Sequence, residues 1–249
     1  MAVCGRPATA RPPGGDDLDW KGPAFRPDEF TVTDTPARTF DVRHLQLARA
    51  LFALAAGIMI TFSGDHSAPV GLAVFGGFAV ATALVLLLSA WLVFPAGSRW
   101  PSVLLGILTL IAGMLAGAPG LRTTTMFFVL VIVWALTTGI TETAAGIAAR
   151  RRARAQGLVD GDARDAMVVG VITVILGLAL LAVPAGYQLD YFVDEAGQWF
   201  TLTGTTIAVG VFGGYAAVIG VYLGIAGFSP RRADIDTADP VVTETGGQS

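Results

Sequence analysis

Six long apolar segments constrain this chain more than any other feature of its sequence. Each segment runs for roughly 20 residues or more without a regularly spaced polar face, which is the length that an α-helix needs to cross the hydrocarbon core of a bilayer. Hydrophobic residues make up 53% of the 249 residues and charged residues only 14%, whereas soluble domains carry about 25% charged residues. The sequence therefore predicts an integral membrane protein.

The six predicted spans alternate between short and long. They cover about 45–62, 69–94, 101–118, 124–149, 166–183 and 200–228. The long spans are expected to tilt or to protrude from the bilayer. The flanking segments 1–44 and 229–249 are polar, and the first is rich in proline, so both are expected to be disordered tails. The predicted fold class is an all-α polytopic membrane protein with a transmembrane domain at 45–228.

The basic residues near the spans fall almost entirely on one side. That side carries Arg38, Arg43, Arg49, Arg99, Arg150, Arg151, Arg152, Arg154, Arg164, Arg231 and Arg232. The loops of the other side hold only Arg122, together with several carboxylates. Because cytoplasmic loops are enriched in Lys and Arg, both termini and the basic loops are expected in the cytoplasm. An excess of arginine over lysine and abundant alanine suggest a bacterial protein, which would then lie in the inner (plasma) membrane.

Small and aromatic residues recur at matched spacings, which indicates an internal repeat. The short spans carry small pairs seven residues apart, at Ala50 and Gly57, Gly106 and Gly113, and Gly170 and Gly177. The long spans carry an aromatic residue five positions before a small one, at Phe78 and Ala83, Trp134 and Gly139, and Tyr215 and Gly220. The third copy has about 17 extra residues, placed at 185–201. The pattern predicts three parallel two-helix hairpins, at about 45–94, 101–149 and 166–228, related by an axis along the membrane normal.

Glycines on the spans are candidates for close helix packing. Helices in lipid associate where small residues let their backbones approach, and the candidates are Gly106, Gly113, Gly139, Gly170, Gly177, Gly220 and Gly224. Two uses remain open for them. They could pack helices within one chain, or the G-x-x-x-G pair at Gly220 and Gly224 could form a contact between two copies, so a homo-oligomer is possible.

The second and third hairpins resemble a known family. The stretch LGILTLIAG at 105–113, then Pro119, then WALTTGI at 134–140, is similar to the repeat of the HdeD-like acid-resistance membrane proteins. The third copy, with Gly170, Pro184 and Tyr215, fits the same pattern, whereas the first copy lacks the proline. The resemblance implies a six-span inner-membrane protein linked to acid or general stress tolerance. It implies no catalytic residues.

Glu142 and Arg49 are the candidate functional residues inside the membrane. Glu142 is the one carboxylate within a predicted span, where a charge costs about 2.5 to 3.5 kcal/mol at mid-membrane. It lies eight residues before Arg150, which is about 12 Å along a helix. Arg49 sits at a comparable depth on the first span. Glu142 could pair with Arg49 or serve as a proton or ion site, and Arg49 could instead reach the cytoplasmic surface.

Several loop residues could sense pH or bind lipid. His66 could sense pH because histidine is the side chain that changes charge near neutral pH, and the outer carboxylates Asp190, Asp194 and Glu195 could report external pH. Each could equally be an ordinary solvated loop residue. The basic cluster at 150–154 could contact anionic lipid headgroups, although the topology rule alone accounts for it.

The remaining composition argues against an enzyme. The sequence holds no Ser-His-Asp grouping, no phosphate-binding loop and no H-E-x-x-H motif. One cysteine, two histidines and a net charge of −3 favour neither a cofactor, a metal site nor a nucleic-acid partner. The expected partner is the lipid bilayer. The expected function is that of a non-enzymatic stress-associated membrane protein, and the alternative is a small transporter or channel for protons or small solutes that uses Glu142.

Overall fold

The computed structural model describes residues 41–93, 99–158, 160–195 and 197–229. Nearly all of the predicted tails at 1–44 and 229–249 lies outside these residues. Six α-helices span most of the described chain, namely α1 Val42–Phe62, α2 Ala68–Leu92, α3 Trp100–Gly117, α4 Thr124–Ala155, α5 Gly161–Ala182 and α6 Gly204–Phe228. Each is long and apolar enough to cross a membrane, judged by length and composition. The prediction of a helical, multi-pass membrane protein is confirmed at that level.

Helices α4 and α5 extend furthest beyond the predicted spans, because their ends are polar. Helix α4 continues from 149 to Ala155 through a run of arginine and alanine, which are good helix formers, and the chain turns at Gly157 with φ of 71°. Helix α5 begins at Gly161 rather than near 166. Asp160 caps it by accepting a hydrogen bond from the Ala163 N–H at 3.0 Å. Hydropathy alone does not detect such charged first and last turns.

The predicted insertion at 185–201 contributes most of a β-hairpin. Strands β1 Gln188–Val193 and β2 Gln198–Thr203 pair antiparallel, with Tyr191 opposite Phe200 and Phe192 opposite Trp199. Helix α6 consequently begins at Gly204, four residues after the predicted start at 200. We call the end of the helices that carries this strand pair the hairpin end, and the opposite end, where α1 begins and α4 and α6 finish, the basic end.

The helices pack most extensively in the pairs α2 with α3, α4 with α5, and α6 with α1, while α1–α2, α3–α4 and α5–α6 contact less. These contacts join all six helices into a closed ring. Helices α2, α4 and α6 contribute most of the buried residues, including the fully buried Phe75, Phe127 and Phe212. Large apolar side chains such as Leu51, Ile58 and Val133 remain exposed, as expected for a surface that faces lipid.

Glycine permits the closest of these helix contacts. A Cβ added at Gly170 would lie 2.5 Å from the backbone nitrogen of Thr143, and one at Gly139 would lie 2.9 Å from the carbonyl oxygen of Gly170. A Cβ at Gly113 would lie 2.9 Å from the backbone nitrogen of Val80. Neighbouring backbones therefore touch where only glycine leaves room.

The other candidate glycines divide into two groups. Gly106, Gly177 and Gly220 each face a leucine of the neighbouring helix in the same chain. A Cβ added at any of the three would lie too close to that leucine. A Cβ at Gly224 would meet no atom within 4 Å. Gly220 therefore already contacts a helix of its own chain. A contact between two copies through the Gly220–Gly224 pair stays a prediction.

Replacing Gly170 by alanine should destabilise the bundle. The added methyl would push the α4 backbone away from α5, and overpacking of this kind costs about 1 to 3 kcal/mol. Gly77→Ala is the matched control, because a Cβ at Gly77 meets nothing within 4 Å. Thermal unfolding in detergent micelles should give a lower midpoint for Gly170→Ala and a nearly unchanged one for Gly77→Ala. Equal midpoints for the two variants would contradict the close packing of α4 on α5.

Candidate functional site

Arg49 and Glu142 meet inside the bundle as a two-pronged ion pair. Arg49 Nη1 donates to Glu142 Oε1 at 2.9 Å, and Nη2 donates to Oε2 at 3.4 Å. The two side chains are only 16% and 9% exposed. Two parallel bonds match the planar guanidinium to the carboxylate. Because Arg49 lies on α1 and Glu142 on α4, the pair joins two of the three predicted hairpins.

Small neighbours make room for both charged groups. Positions four residues apart share one face of a helix. On α1 the next position on the face of Arg49 is Ala53, which is fully buried. On α4 Glu142 lies between Thr138 and Gly146, which are both buried. These short side chains leave the centre of the bundle open to a guanidinium and a carboxylate that a row of leucines would exclude.

A cavity of about 20 Å³ adjoins the pair on the side of the hairpin end. Its polar walls are formed mostly by hydroxyl groups. The Trp134 Nε1–H donates to Thr109 Oγ1 at 3.2 Å, and Thr173 Oγ1 and the Tyr215 hydroxyl lie 3.0 Å apart. The Oγ1 of Thr82, also on the wall, is buried and has no hydrogen-bond partner among the described residues. A space of this volume fits a single water molecule.

An aromatic cluster fills the centre of the bundle between this small cavity and the hairpin end. Ring centroids lie 5.1 Å apart for Phe75 and Trp134, 5.5 Å for Phe75 and Phe212, and 5.9 Å for Phe78 and Trp134, all with edge-to-face geometry. Tyr215 packs against Trp134 at 6.2 Å. The three aromatic residues that the repeat aligns, Phe78, Trp134 and Tyr215, thus belong to one cluster. Its close packing separates the polar centre from the hairpin end.

A larger cavity, of about 360 Å³, lies between the ion pair and the basic end. We call it the basic-end cavity. Arg49 and Glu142 lie at its inner limit, and its other polar or charged lining residues are Gln46, Ser102, Arg152, Asp160, Asp162 and Asp165. Apolar side chains from several helices complete the wall. The ion pair therefore borders a small hydroxyl-lined space on one side and a larger charged space on the other.

A second polar contact, which is partly buried, lies on the wall of the basic-end cavity. Gln46 Nε2 donates to Asp165 Oδ2 at 3.2 Å, and the Tyr222 hydroxyl donates to Asp165 Oδ1 at 2.9 Å. The three residues tie α1, α5 and α6 together. Sequence reasoning missed Asp165, because the predicted fifth span began one residue after it. The cap residue Asp160 is the signal that would have extended the helix and placed Asp165 on it.

The other candidate residues lie away from the ion pair. His66, Asp190, Asp194 and Glu195 belong to the connections at the hairpin end, where Asp190 accepts a hydrogen bond from Thr201 at 2.5 Å. Of the basic cluster 150–154, only Arg152 lines the basic-end cavity. Within the described ranges no group of three His, Cys, Asp or Glu side chains could hold a metal ion.

Comparison of the chain with models of known families, with curated proteins and with solved structures gives no match. The chemistry of the site is therefore defined by its own side chains. These provide a neutralised pair of charges, a set of threonine hydroxyls, and carboxylates in a space large enough for a small molecule.

Removing both members of the ion pair should cost less than the two single removals added together. Glu142→Gln leaves a buried guanidinium without its counter-charge, and such a loss costs about 3 to 5 kcal/mol. Arg49→Gln leaves a buried carboxylate in the same position. The double variant should be less destabilised than the sum of the two single changes, as measured by thermal unfolding in detergent.

Arg151→Gln is the control, because Arg151 is exposed on the same helix as Glu142. Its unfolding midpoint should match that of the unaltered chain. Strictly additive losses in the Arg49 and Glu142 variants would mean that the pair does not couple α1 to α4.

Proposed function

We propose that this chain is a non-enzymatic, multi-pass protein of the bacterial inner membrane, of the HdeD-like type, associated with tolerance of acid or general stress. The observation that carries the proposal is the ion pair between Arg49 and Glu142. Both carboxylate oxygens accept bonds from the guanidinium, and the aromatic cluster lies between this pair and the hairpin end. Charges held in this way favour a structural bond across the bundle over a mobile ion site. The stress association rests on the sequence resemblance alone.

The proposal places the basic end in the cytoplasm. Arg43, Arg152 and Arg164 lie at or near this end of the helices, whereas Arg122 lies at the hairpin end. An uneven distribution of arginine is the principal determinant of membrane orientation. Both termini would then be cytoplasmic, and the β-hairpin would lie on the outer side.

The proposal also includes the three parallel hairpins. Counting eight residues from the aligned aromatics Phe78, Trp134 and Tyr215 leads to Leu86, Glu142 and Leu223, and all three of these line both cavities. Equivalent positions that converge on one place support a repeat around a common axis. Glu142 would then stand where the other two hairpins have leucine, so the charge is a departure of one hairpin from the shared pattern.

A small transporter or channel, for protons or a small solute, is the second candidate function. The observation that favours it is the basic-end cavity, which reaches Glu142. Threonine hydroxyls lie beyond the ion pair, on the side of the hairpin end, and could continue a polar path. They support transport only weakly, however, because several already bond within their own helices. Thr138 donates to the Trp134 carbonyl at 2.6 Å and Thr173 to the Val169 carbonyl at 2.8 Å.

Proton movement across liposomes distinguishes the two functions. The full-length chain is reconstituted around an interior pH dye, and a proton gradient is imposed. We expect no protein-dependent flux, either for the unaltered chain or for Glu142→Gln, because the charges are paired and the aromatic cluster is closely packed. A flux that Glu142→Gln abolishes and that Asp194→Asn, a carboxylate change at the hairpin end, preserves would instead establish transport.

A separate experiment in the host bacterium tests the stress association. Cells without the chain should survive acid or another membrane stress less well than cells that carry it. Glu142→Gln, if it accumulates to a normal level, should restore survival only in part. Unchanged survival of the deletion strain under every stress applied would reject the stress role, whatever the liposomes show.

A further inference from the structure

We propose that the basic-end cavity is a binding site for a small organic cation, namely a protonated amine attached to an apolar body. The inference is independent of the stress role, since a cation site could serve a sensor, a transporter or a membrane partner alike. It rests on an unpartnered acceptor, a carboxylate without a cationic partner, the charge of the lining and the character of the remaining wall.

Gln46 supplies the unpartnered acceptor. The residue lines the cavity, is 6% exposed, and uses its side-chain N–H to hold Asp165. Its Oε1 is buried and has no hydrogen-bond partner among the described residues. A buried acceptor without a donor is destabilising. A ligand that brings an N–H group to this wall would satisfy it.

Asp165 supplies the charge beside that acceptor. Its two oxygens accept bonds from Gln46 and Tyr222, which are both neutral donors. In the part of the chain that the structure describes, no arginine or lysine forms a salt bridge with it. A carboxylate has about four lone-pair sites, so two remain for a ligand. An ammonium group, with several N–H donors, can bond Asp165 and Gln46 together.

The charge of the described lining favours a cation. This part of the wall carries the carboxylates of Glu142, Asp160 and Asp165 and the guanidinium groups of Arg49 and Arg152, while Asp162 also lines it but has an interaction partner of its own. Without Asp162, three negative and two positive charges leave a formal net charge of −1 among the described residues. Glu142 already neutralises Arg49, so Asp165 keeps a negative charge for a ligand. A negatively charged ligand would meet repulsion at this wall.

The rest of the wall favours an apolar body on the same ligand. Leu45, Leu86, Trp100, Leu105 and Leu223 line the cavity. Its volume of about 360 Å³ falls within the range of roughly 300 to 1,000 Å³ that is usual for small-molecule sites. A bare inorganic ion would leave most of this space and all of the apolar surface unused. An amine with one aromatic or branched aliphatic group fits both parts.

The experiment measures calorimetric binding of 2-phenylethylammonium to the purified full-length chain in lipid nanodiscs. Two ligands of similar shape serve as comparisons, the neutral 2-phenylethanol and the anionic phenylacetate. We expect saturable binding of one ammonium ion per chain, with the alcohol bound at least ten-fold more weakly and the carboxylate not bound. The difference between the ammonium ion and the alcohol isolates the contribution of the charge.

Variants assign the binding to the named carboxylates. Asp165→Asn should weaken ammonium binding by about ten-fold or more, because it removes a charged hydrogen-bond acceptor. Asp160→Asn should weaken it by roughly two- to five-fold, as expected for a less direct charge, and asparagine remains a good helix cap. Asp194→Asn, which removes a carboxylate at the hairpin end, should leave binding unchanged.

Four results would overturn the proposal. These are equal affinity for the alcohol and the ammonium ion, stronger binding of phenylacetate, no saturable binding of any of the three ligands, and unchanged ammonium affinity in a folded Asp165→Asn. If Asp165→Asn does not fold, the comparison of Asp160→Asn with Asp194→Asn decides. Equal affinities in those two variants would then place the cation elsewhere.

Discussion

A polar group surrounded by apolar material must find its partner within the protein, and most of this structure follows from that requirement. Helices satisfy their own backbone amides, and threonine hydroxyls bond to carbonyl oxygens one turn away, as Thr143 does with Gly139 at 2.7 Å. Arg49 and Glu142 satisfy each other. The two buried side-chain atoms that lack a partner in the described residues, on Gln46 and Thr82, both lie on cavity walls. The two unpartnered atoms therefore lie where the packing of the interior leaves open space.

Close helix packing makes the central ion pair possible. Gly139 and Gly170 bring α4 against α5, and this contact fixes the face of α4 that turns toward the axis. Glu142 follows Gly139 by three residues, so its side chain is directed inward to Arg49. Asp165, on α5, lies beside α1, where the side chain of Gln46 donates a hydrogen bond to it. The glycine contacts between α4 and α5 thus support the arrangement in which the charged groups meet.

The sequence was sufficient for those features that depend on length, period or depth. Runs of about 20 apolar residues predicted the six helices, and a similar distance from the basic end predicted that Arg49 could reach Glu142. A spacing of seven residues singled out Gly106, Gly113, Gly170 and Gly177, and each of them contacts a neighbouring helix. These features are local, or they depend only on depth along the membrane normal. The order of residues in the sequence is therefore enough to predict them.

Other features depend on how separate segments meet, and the sequence did not reveal them. The β-hairpin depends on pairing between two short strands whose aromatic residues also suit an irregular loop. The hydropathy pattern places Asp165 in a loop, because charged residues lower hydropathy even where a cap such as Asp160 extends the helix. The basic-end cavity is bounded by residues of several helices, from Gln46 to Leu223, and no stretch of sequence contains it.

Side-specific cysteine labelling tests most directly whether six helices cross the membrane with the basic end inside. In a Cys4→Ser background, which removes the one native cysteine, a single cysteine is introduced as Arg151→Cys or as Asp194→Cys, and a membrane-impermeant maleimide is applied to intact cells. We expect Asp194→Cys to be labelled at once and Arg151→Cys only after the membrane is opened. Labelling of Arg151→Cys in intact cells would contradict the proposed orientation, and labelling of both positions would contradict a membrane barrier between the two ends.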